Sequence, residues 1–146
     1  MDFNELCLGC RTYRRFEQKE IPEEILTELL ENARVANSVM NGQVLRYVLV
    51  KSQETVKKLQ PYFHFAAALP KELGQPKEEE QPTAFIILCT EGRESPWTDM
   101  DIGIAVRTMN LNAYNHGVGS CILGNVEFES GSSLMKHPDA LYEVCA

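Results

Sequence analysis

The chain has 146 residues, 44% of them hydrophobic, and its 21 acidic and 14 basic side chains give a formal net charge of −7. This length supports one domain with a sizeable core, and the acidic balance disfavours a general binder of nucleic acid or of anionic membranes. No apolar run reaches the roughly 20 residues of a membrane-spanning helix. The five cysteines have no disulfide-framework spacing, and the N-terminus lacks a basic-then-apolar signal pattern, so we predict a cytoplasmic protein.

The first predicted element is a short helix over residues 2–10, which contains Cys7 and Cys10. This pair is formally a C-x-x-C motif, which can serve redox chemistry or bind zinc. Because no second Cys or His pair lies at metal-binding spacing, we favour a structural role for both thiols as small hydrophobic groups. We therefore predict no metal site.

A cluster of three arginines follows in CRTYRRF, residues 10–16. One interpretation is a solvated basic turn, because runs of charge are usually exposed. The other is an anion site, in which guanidinium forks bind phosphate oxygens and the hydroxyl of Thr12 adds a donor. Phe16 is predicted to anchor the segment in the core.

The sequence IPEE at 21–24 begins a helix that we predict to continue to about Ala36, with one apolar stripe. The segment NSVMNGQ, residues 37–43, follows it. Its Asn, Ser and Gly residues are typical of a polar turn, which is the interpretation that the residues alone favour. Alternatively, its amide and hydroxyl groups read the edge of a heterocycle.

The middle of the chain is predicted to contain two strands separated by a helix and an irregular segment. Val44–Val50 is a strand by its branched and aromatic content, and Gln53–Gln60 is a short polar helix. Pro61–Pro82 is an exposed excursion that would serve as a lid over a site. His64 within it is interpreted as a packed or exposed side chain rather than a ligand. Thr83–Thr90 is a strand buried on both faces.

The longest predicted helix begins near Thr98, whose spacing to Asp101 resembles a capping box, and ends at His116. It is apolar nearly all round, which predicts burial on all sides. Its main apolar face consists of Ile102, Ala105, Val106, Met109 and Ala113. GVGSCILG, residues 117–124, then predicts a short strand whose glycines allow backbone to approach a flat or phosphorylated group.

The pattern is weaker after Gly124. Residues 130–135 predict a helical turn, Pro138-Asp139 predicts a turn, and residues 141–146 predict the start of a further strand.

Three of these segments together resemble the flavin-dependent nitroreductases. CRTYRRF at 10–16 is similar to the family's Arg-Arg-Ser-x-Arg-x-Phe opening, and in both an Ile-Pro-Glu-Glu helix follows. NSVMNGQ at 37–43 is similar to its Pro-Ser-x-x-Asn-x-Gln segment, and the helix that leads into GVGSCILG is the third signal. The resemblance implies an α+β fold over residues 1–146, with a central mixed, mainly antiparallel sheet flanked by helices and a long buried central helix.

The resemblance also implies FMN bound at the interface of an intimate homodimer. Residues near the phosphate and ribityl chain would be Arg11, Thr12 and Arg14. Residues that reach the flavin from the partner subunit would be Asn37, Ser38 and Asn41. Leu123 and Gly124 would present backbone N–H groups near N5 and O4 of the ring, where such donors stabilise the charge of a reduced flavin.

The activity implied is hydride transfer from NADH or NADPH, through the flavin, to a small acceptor such as a nitroaromatic or a quinone. No acid or base catalyst is assigned. His116 is either a proton donor or a helix cap, and its position at a helix end favours the cap.

Several departures from the family pattern keep other functions open. Cys10 stands where the family often has arginine, Asn37 replaces a proline, and Leu123 stands where some members have glutamate. The chain also ends before a C-terminal strand that, in the family, crosses to the other subunit. The alternatives are a flavin-binding or storage module, other flavin chemistry such as dehalogenation or flavin fragmentation, and a cofactor-free interaction protein.

Overall fold

The computed structural model describes residues 2–66, 68–90, 95–124 and 142–145. These residues form five α-helices and four β-strands. The helices are α1 (Phe3–Gly9), α2 (Glu23–Val35), α3 (Gln53–Leu59), α4 (Lys71–Gly74) and α5 (Thr98–Asn115). The strands are β1 (Leu45–Val50), β2 (Phe85–Thr90), β3 (Cys121–Leu123) and β4 (Tyr142–Cys145). Short 3-10 turns occupy Val39–Asn41, Gln60–Tyr62 and Glu78–Glu80. None of the described helices is both long and apolar enough to cross a membrane.

The four strands form one sheet in the order β1-β2-β4-β3, and each neighbouring pair is antiparallel. The described part of the chain adds one parallel bridge, between Thr12 and Ser120. This arrangement of helices and a mainly antiparallel sheet confirms the predicted α+β class. The strand predicted over 141–146 is β4, and it lies between β2 and β3. The turns predicted at 130–135 and 138–139 fall outside the described residues.

Strand β2 divides the core into two layers, because successive side chains of a strand point to opposite faces. Ile86 and Leu88 join a cluster with α2 and α5, whereas Phe85 and Ile87 join a cluster with α3, β3 and the segment after α3. Five of the six β2 residues are buried, as predicted for a strand covered on both faces. The Leu29 and Met109 side chains are fully buried where α2 packs on α5.

Helix α5 differs from the prediction on its outer side. Its predicted apolar stripe is buried, but Met100, Gly103 and Arg107 on the opposite side are exposed. The predicted capping box is wrong as well. The hydroxyl of Thr98 accepts a hydrogen bond from the Ser95 N–H at 2.8 Å, and the Asp101 carboxylate accepts one from the Val39 N–H at 2.8 Å. The Asp101 carboxylate thus binds a loop that lies 62 positions earlier in the chain, and the spacing of residues within the helix does not reveal such a partner.

The segment predicted as an exposed excursion, residues 61–82, is exposed only in part, which corrects that prediction. Phe63 and Phe65 are buried in the cluster around Phe85, since burying a phenylalanine side chain is favourable by about 1.5–3 kcal/mol. The Gln75 side chain holds the segment in place by donating to the Phe63 carbonyl at 2.7 Å and accepting from the Phe65 N–H at 3.2 Å. The charged residues Glu78 and Glu79 remain exposed.

Candidate functional site

The arginine-rich segment is an extended strand-like stretch that lies beside β3. Thr12 forms the parallel bridge with Ser120, and the Tyr13 N–H donates to the Ser120 carbonyl at 3.0 Å. Gly119 allows this close approach, since a Cβ placed on it would lie 2.9 Å from Cγ of Tyr13. Phe16 is half-buried against the second core cluster, as predicted. The stretch is therefore held at both ends.

Arg11 and Arg14 keep their guanidinium groups at the surface. Nη1 of Arg11 donates to the Cys10 carbonyl at 2.8 Å, and Nε of Arg14 donates to the Phe65 carbonyl at 2.9 Å. Among the described residues no carboxylate pairs with either guanidinium, whereas Arg15 pairs with Glu80 at 3.2 Å. Two exposed and uncompensated guanidinium groups on one ordered stretch are suited to an anion.

Asn110 of α5 joins the arginine-rich segment to β3, and the sequence analysis missed it. Its Oδ1 accepts from the Cys10 thiol at 3.0 Å and from Nη1 of Arg107 at 2.7 Å. Its Nδ2 donates to the Ser120 hydroxyl at 2.6 Å. Because Asn110 and Ser120 are both buried, these bonds fix the relative position of residues 10–13 and 119–121. The available signal was a polar side chain within an apolar helix face.

The loop over residues 37–43 has an unusual backbone. Met40, Asn41 and Gln43 have φ values of 54°, 53° and 46°, in the left-handed region that non-glycine residues seldom adopt. The Ser38 hydroxyl accepts from the Gln43 N–H at 3.1 Å, and the Asn41 N–H donates to the Ser38 carbonyl at 3.0 Å. The side chain of Met40 is 93% exposed at the tip of the loop.

A cleft of about 400 Å³ lies beside this loop, and Asn37 and Ser38 line it together with Tyr47 and Asp101. Burial, and to a smaller extent the negative charge of Asp101, raises the pKa of the Tyr47 phenol above its ordinary value. The Tyr47 hydroxyl donates a long hydrogen bond of 3.4 Å to the Ala33 carbonyl. The phenol therefore stays protonated at neutral pH and acts as a donor in this cleft.

Leu123 and Gly124, at the end of β3, differ in their exposure to solvent. The Leu123 side chain is buried in the core, whereas Gly124 is exposed directly after the strand. A Cβ at Gly124 would meet no described atom within 4 Å, so the space beside its backbone is open. Leu123 can therefore contribute to a surface site only through its backbone.

The structure thus brings together two of the three predicted groups of contact residues. Arg11, Thr12 and Arg14 lie on a stretch paired with the residues that precede Leu123 and Gly124. Asn37 and Ser38 lie in the 400 Å³ cleft, which contains none of the other six predicted residues. A larger cleft of about 590 Å³, beside Tyr13 and Tyr114, contains none of the eight. Within one chain, neither cleft combines all of the predicted contacts.

His116 is the C-cap residue of α5, where its N–H donates to the carbonyls of Asn112 and Ala113. Its Nε2 lies 3.2 Å from a carboxylate oxygen of Glu28. Hydrogen bonds from Asn112 and His116 lower the pKa of the Glu28 carboxyl. The position of His116 agrees with the cap interpretation. Cys7, Cys10, Cys89 and Cys121 are not joined in disulfides, and the described residues contain no grouping of His, Cys, Asp and Glu suited to a metal ion.

With this geometry established, comparison with known proteins gives the family. A sequence model described as the Nitroreductase family matches residues 9–145. The chain belongs to the nitroreductase family. This membership confirms the resemblance inferred from the three sequence segments.

Individual nitroreductase-family relatives agree. A protein named "Putative NADH dehydrogenase/NAD(P)H nitroreductase" from Methanothermobacter thermautotrophicus is 26% identical over 127 residues, which cover 85% of this chain and 61% of that protein. The crystal structure of a nitroreductase family protein from Clostridium novyi NT superposes with a TM-score of 0.79 at 18% identity, over 99% of this chain and 83% of the other. A nitroreductase with bound FMN from Bacteroides fragilis gives a TM-score of 0.67 at 23% identity, over 86% and 71%. These structures confirm the nitroreductase fold.

Proposed function

We propose that the chain binds FMN and acts as an NAD(P)H-dependent oxidoreductase on small electron acceptors such as nitroaromatics or quinones. The observation that carries this proposal is the pairing of the arginine-rich stretch with the segment that leads into Gly124. The guanidinium groups of Arg11 and Arg14 are then available to a phosphate. The accessible backbone at Gly124, a few residues after the paired segment, is available to a flat ring. The family relatives named for nitroreductase activity and for bound FMN support it.

The described residues fit the phosphate end of FMN. Arg11 and Arg14 supply charge that no described carboxylate neutralises, and Thr12 supplies a hydroxyl between them. The bonds of the two guanidinium groups to the Cys10 and Phe65 carbonyls restrict their motion before an anion binds. Such preorganisation lowers the entropic cost of binding.

The residues at the end of β3 fit the ring end. Backbone N–H groups at Leu123 and Gly124 would face the ring without an intervening side chain, because Leu123 is turned into the core and Gly124 has none. Bound flavin supplies the acceptance and release of a hydride, and the chain supplies fixed donors that favour the more negative reduced form. We assign no acid or base catalyst.

We further propose that the working unit is a homodimer in which Asn37, Ser38 and Asn41 reach the flavin held by the partner subunit. Met100 and Gly103 lie on the exposed side of α5. This side is near the loop of residues 37–43, because Asp101, between them in the sequence, accepts a hydrogen bond from the Val39 N–H. Phe3 and Leu8 of α1, which contacts α5, are also exposed. A second copy would cover these apolar groups and complete a site that one chain leaves divided.

Gly103→Glu tests this interface. A Cβ at Gly103 meets nothing within 4 Å, so the chain itself accommodates the change, and replacing a helical glycine stabilises a helix by up to about 1 kcal/mol. In a dimer packed on this side, the buried charge should give a folded monomer with weakened FMN binding. Mass measured by light scattering during gel filtration checks this. Thr27→Glu, on the exposed side of α2, is the control, and a dimeric Gly103→Glu variant would place the interface elsewhere.

The function is tested by titrating the purified protein with FMN and then adding NADH or NADPH without oxygen. We expect flavin absorption bands that shift on binding and bleach with the nicotinamide. Flavin that binds but is not reduced would favour a binding module or other flavin chemistry, and an absence of binding would contradict the proposal.

The chain spans 61% of the relative from Methanothermobacter thermautotrophicus. We propose a cytoplasmic location, because Cys7, Cys10, Cys89 and Cys121 are not joined in disulfides and the cytoplasm is a reducing compartment.

A further inference from the structure

We infer that Asp101 is a positioning residue for the flavin site: its buried carboxylate holds the 38–43 loop in the conformation that presents Ser38 and Asn41. The inference rests on the proposed function, because it concerns residues that the proposal places at the flavin. Asp101 itself need not touch the cofactor. It is expected to act through the loop backbone.

The contact between Asp101 and the loop is short and shielded from water. Asp101 is 4% exposed, and its Oδ1 accepts a hydrogen bond from the Val39 N–H at 2.8 Å. Val39 is the first residue of the 3-10 turn Val39–Asn41. A hydrogen bond to a charged acceptor is stronger than a neutral one, and burial strengthens it further. The bond thus fixes the start of the turn against helix α5.

The loop needs such an anchor because its backbone conformation is unfavourable. Three non-glycine residues, Met40, Asn41 and Gln43, have left-handed φ values within four positions. Conformations of this kind persist only where surrounding structure imposes them, and they are common at functional sites. Here the strained stretch carries Asn41, one of the residues proposed to reach the flavin.

The other hydrogen bonds that residues 38–42 make are internal to the loop. Asn41 donates to the Ser38 carbonyl, Gly42 to the Val39 carbonyl, and Gln43 to the Ser38 hydroxyl. Gln43, where the loop meets β1, also accepts at its carbonyl from Nη1 of Arg46 at 3.1 Å. Of the described hydrogen bonds made by residues 38–42, the bond to Asp101 is the one that reaches another element. Internal bonds can maintain a turn, but they do not orient it relative to the rest of the protein. Asp101 provides that orientation.

Asp101→Ala and Asp101→Asn, compared with Thr98→Ala, test the role. Asparagine keeps an oxygen acceptor for the Val39 N–H, whereas alanine removes it. Thr98 is the matched control, since it is buried on the same helix and its hydroxyl also accepts one backbone N–H at 2.8 Å, from Ser95 rather than from the loop. Two readouts are taken: the Kd for FMN by flavin fluorescence, and hydrogen exchange of the Val39 amide by NMR in flavin-free protein.

For Asp101→Ala we expect about a tenfold rise in the Kd for FMN together with faster exchange of the Val39 amide. In Asp101→Asn, the Kd for FMN and the exchange rate of the Val39 amide should stay close to those of the unchanged chain. Thr98→Ala should alter neither quantity, even where it lowers the melting temperature. Equal losses in the alanine variants of Asp101 and Thr98, or unchanged exchange at Val39 in Asp101→Ala, would overturn the inference. If the unchanged chain does not bind FMN, the proposed function fails first. The cofactor role of Asp101 then fails with it, whatever the exchange data show.

Discussion

Phe63→Ala should lower the free energy of unfolding by about 3–5 kcal/mol, the range typical of removing a buried phenylalanine ring. Phe63 is 1% exposed, and its ring centroid lies 4.8 Å from that of Phe85 in a tilted arrangement. The loss combines apolar area returned to water with a cavity beside the central strand β2. Because small domains are stable by only about 5–15 kcal/mol, the variant is expected to be marginally folded at 37 °C. Urea unfolding followed by circular dichroism measures the change.

The comparison variant is Leu73→Ala, in the same segment between residues 61 and 82. Leu73 is largely exposed, so its loss should change stability by no more than about 0.5 kcal/mol. If both variants were equally mild, the segment would be a detachable lid, as the sequence suggests, and its packing on the sheet would contribute little. A large loss for Phe63 alone would establish it as part of the core.

Arg14→Ala should weaken FMN binding by roughly 1.5–3 kcal/mol, or about 10- to 150-fold in Kd, through loss of a charge-assisted contact to the phosphate. The guanidinium is exposed and pairs with no described carboxylate, so its charge is free for a ligand. The variant also loses the bond from Nε to the Phe65 carbonyl. Fluorescence titration with FMN measures the affinity. Thermal unfolding without FMN separately measures the stability lost with the hydrogen bond to the Phe65 carbonyl.

Arg15→Ala is the control for Arg14. Arg15 is the adjacent residue with the same charge, but it is already occupied by Glu80 and by the Leu73 carbonyl, each at 3.2 Å. We expect its loss to leave the affinity for FMN nearly unchanged. Similar effects at the two positions would mean that the arginines act as a diffuse positive field. The phosphate would then have no defined contact with Arg14. Riboflavin, which lacks the phosphate, should bind Arg14→Ala and the unchanged chain equally.

Much of the fold follows from periodicity. The apolar stripe of α2, the all-apolar run of β2 and the buried face of α5 each correspond to the structure, because each pattern reports the face of a regular element that meets the core. The family was reached through three short segments, and the match over residues 9–145 confirms it. The burial of Phe63 and Phe65 was missed because prolines and charges nearby indicate a loop, and only tertiary contact decides whether a loop packs.

The candidate site was predictable only as a set of residue types. The sequence shows an unusual cluster at Arg11, Thr12 and Arg14. The structure adds that this stretch pairs with the segment that leads into Gly124. The contacts of Asp101 with Val39 and of Asn110 with Cys10 could not be predicted, since these partners lie 62 and 100 positions away along the chain. The assignment of all eight residues to FMN stays a prediction.

The strand order β1-β2-β4-β3 has a consequence for how the protein is made. Among the described residues, strand β3 pairs in the sheet with β4 alone, and β4 is translated about 20 residues later than β3. While the ribosome is still extending the chain, β1, β2, α2 and α5 can assemble, but β3 has to wait for residues 142–145. Because Thr12 and Tyr13 attach to Ser120 just before β3, the N-terminal arginines reach their final position late as well. Nascent chains should therefore form the core cluster around α2 and α5 before they acquire the ability to retain flavin.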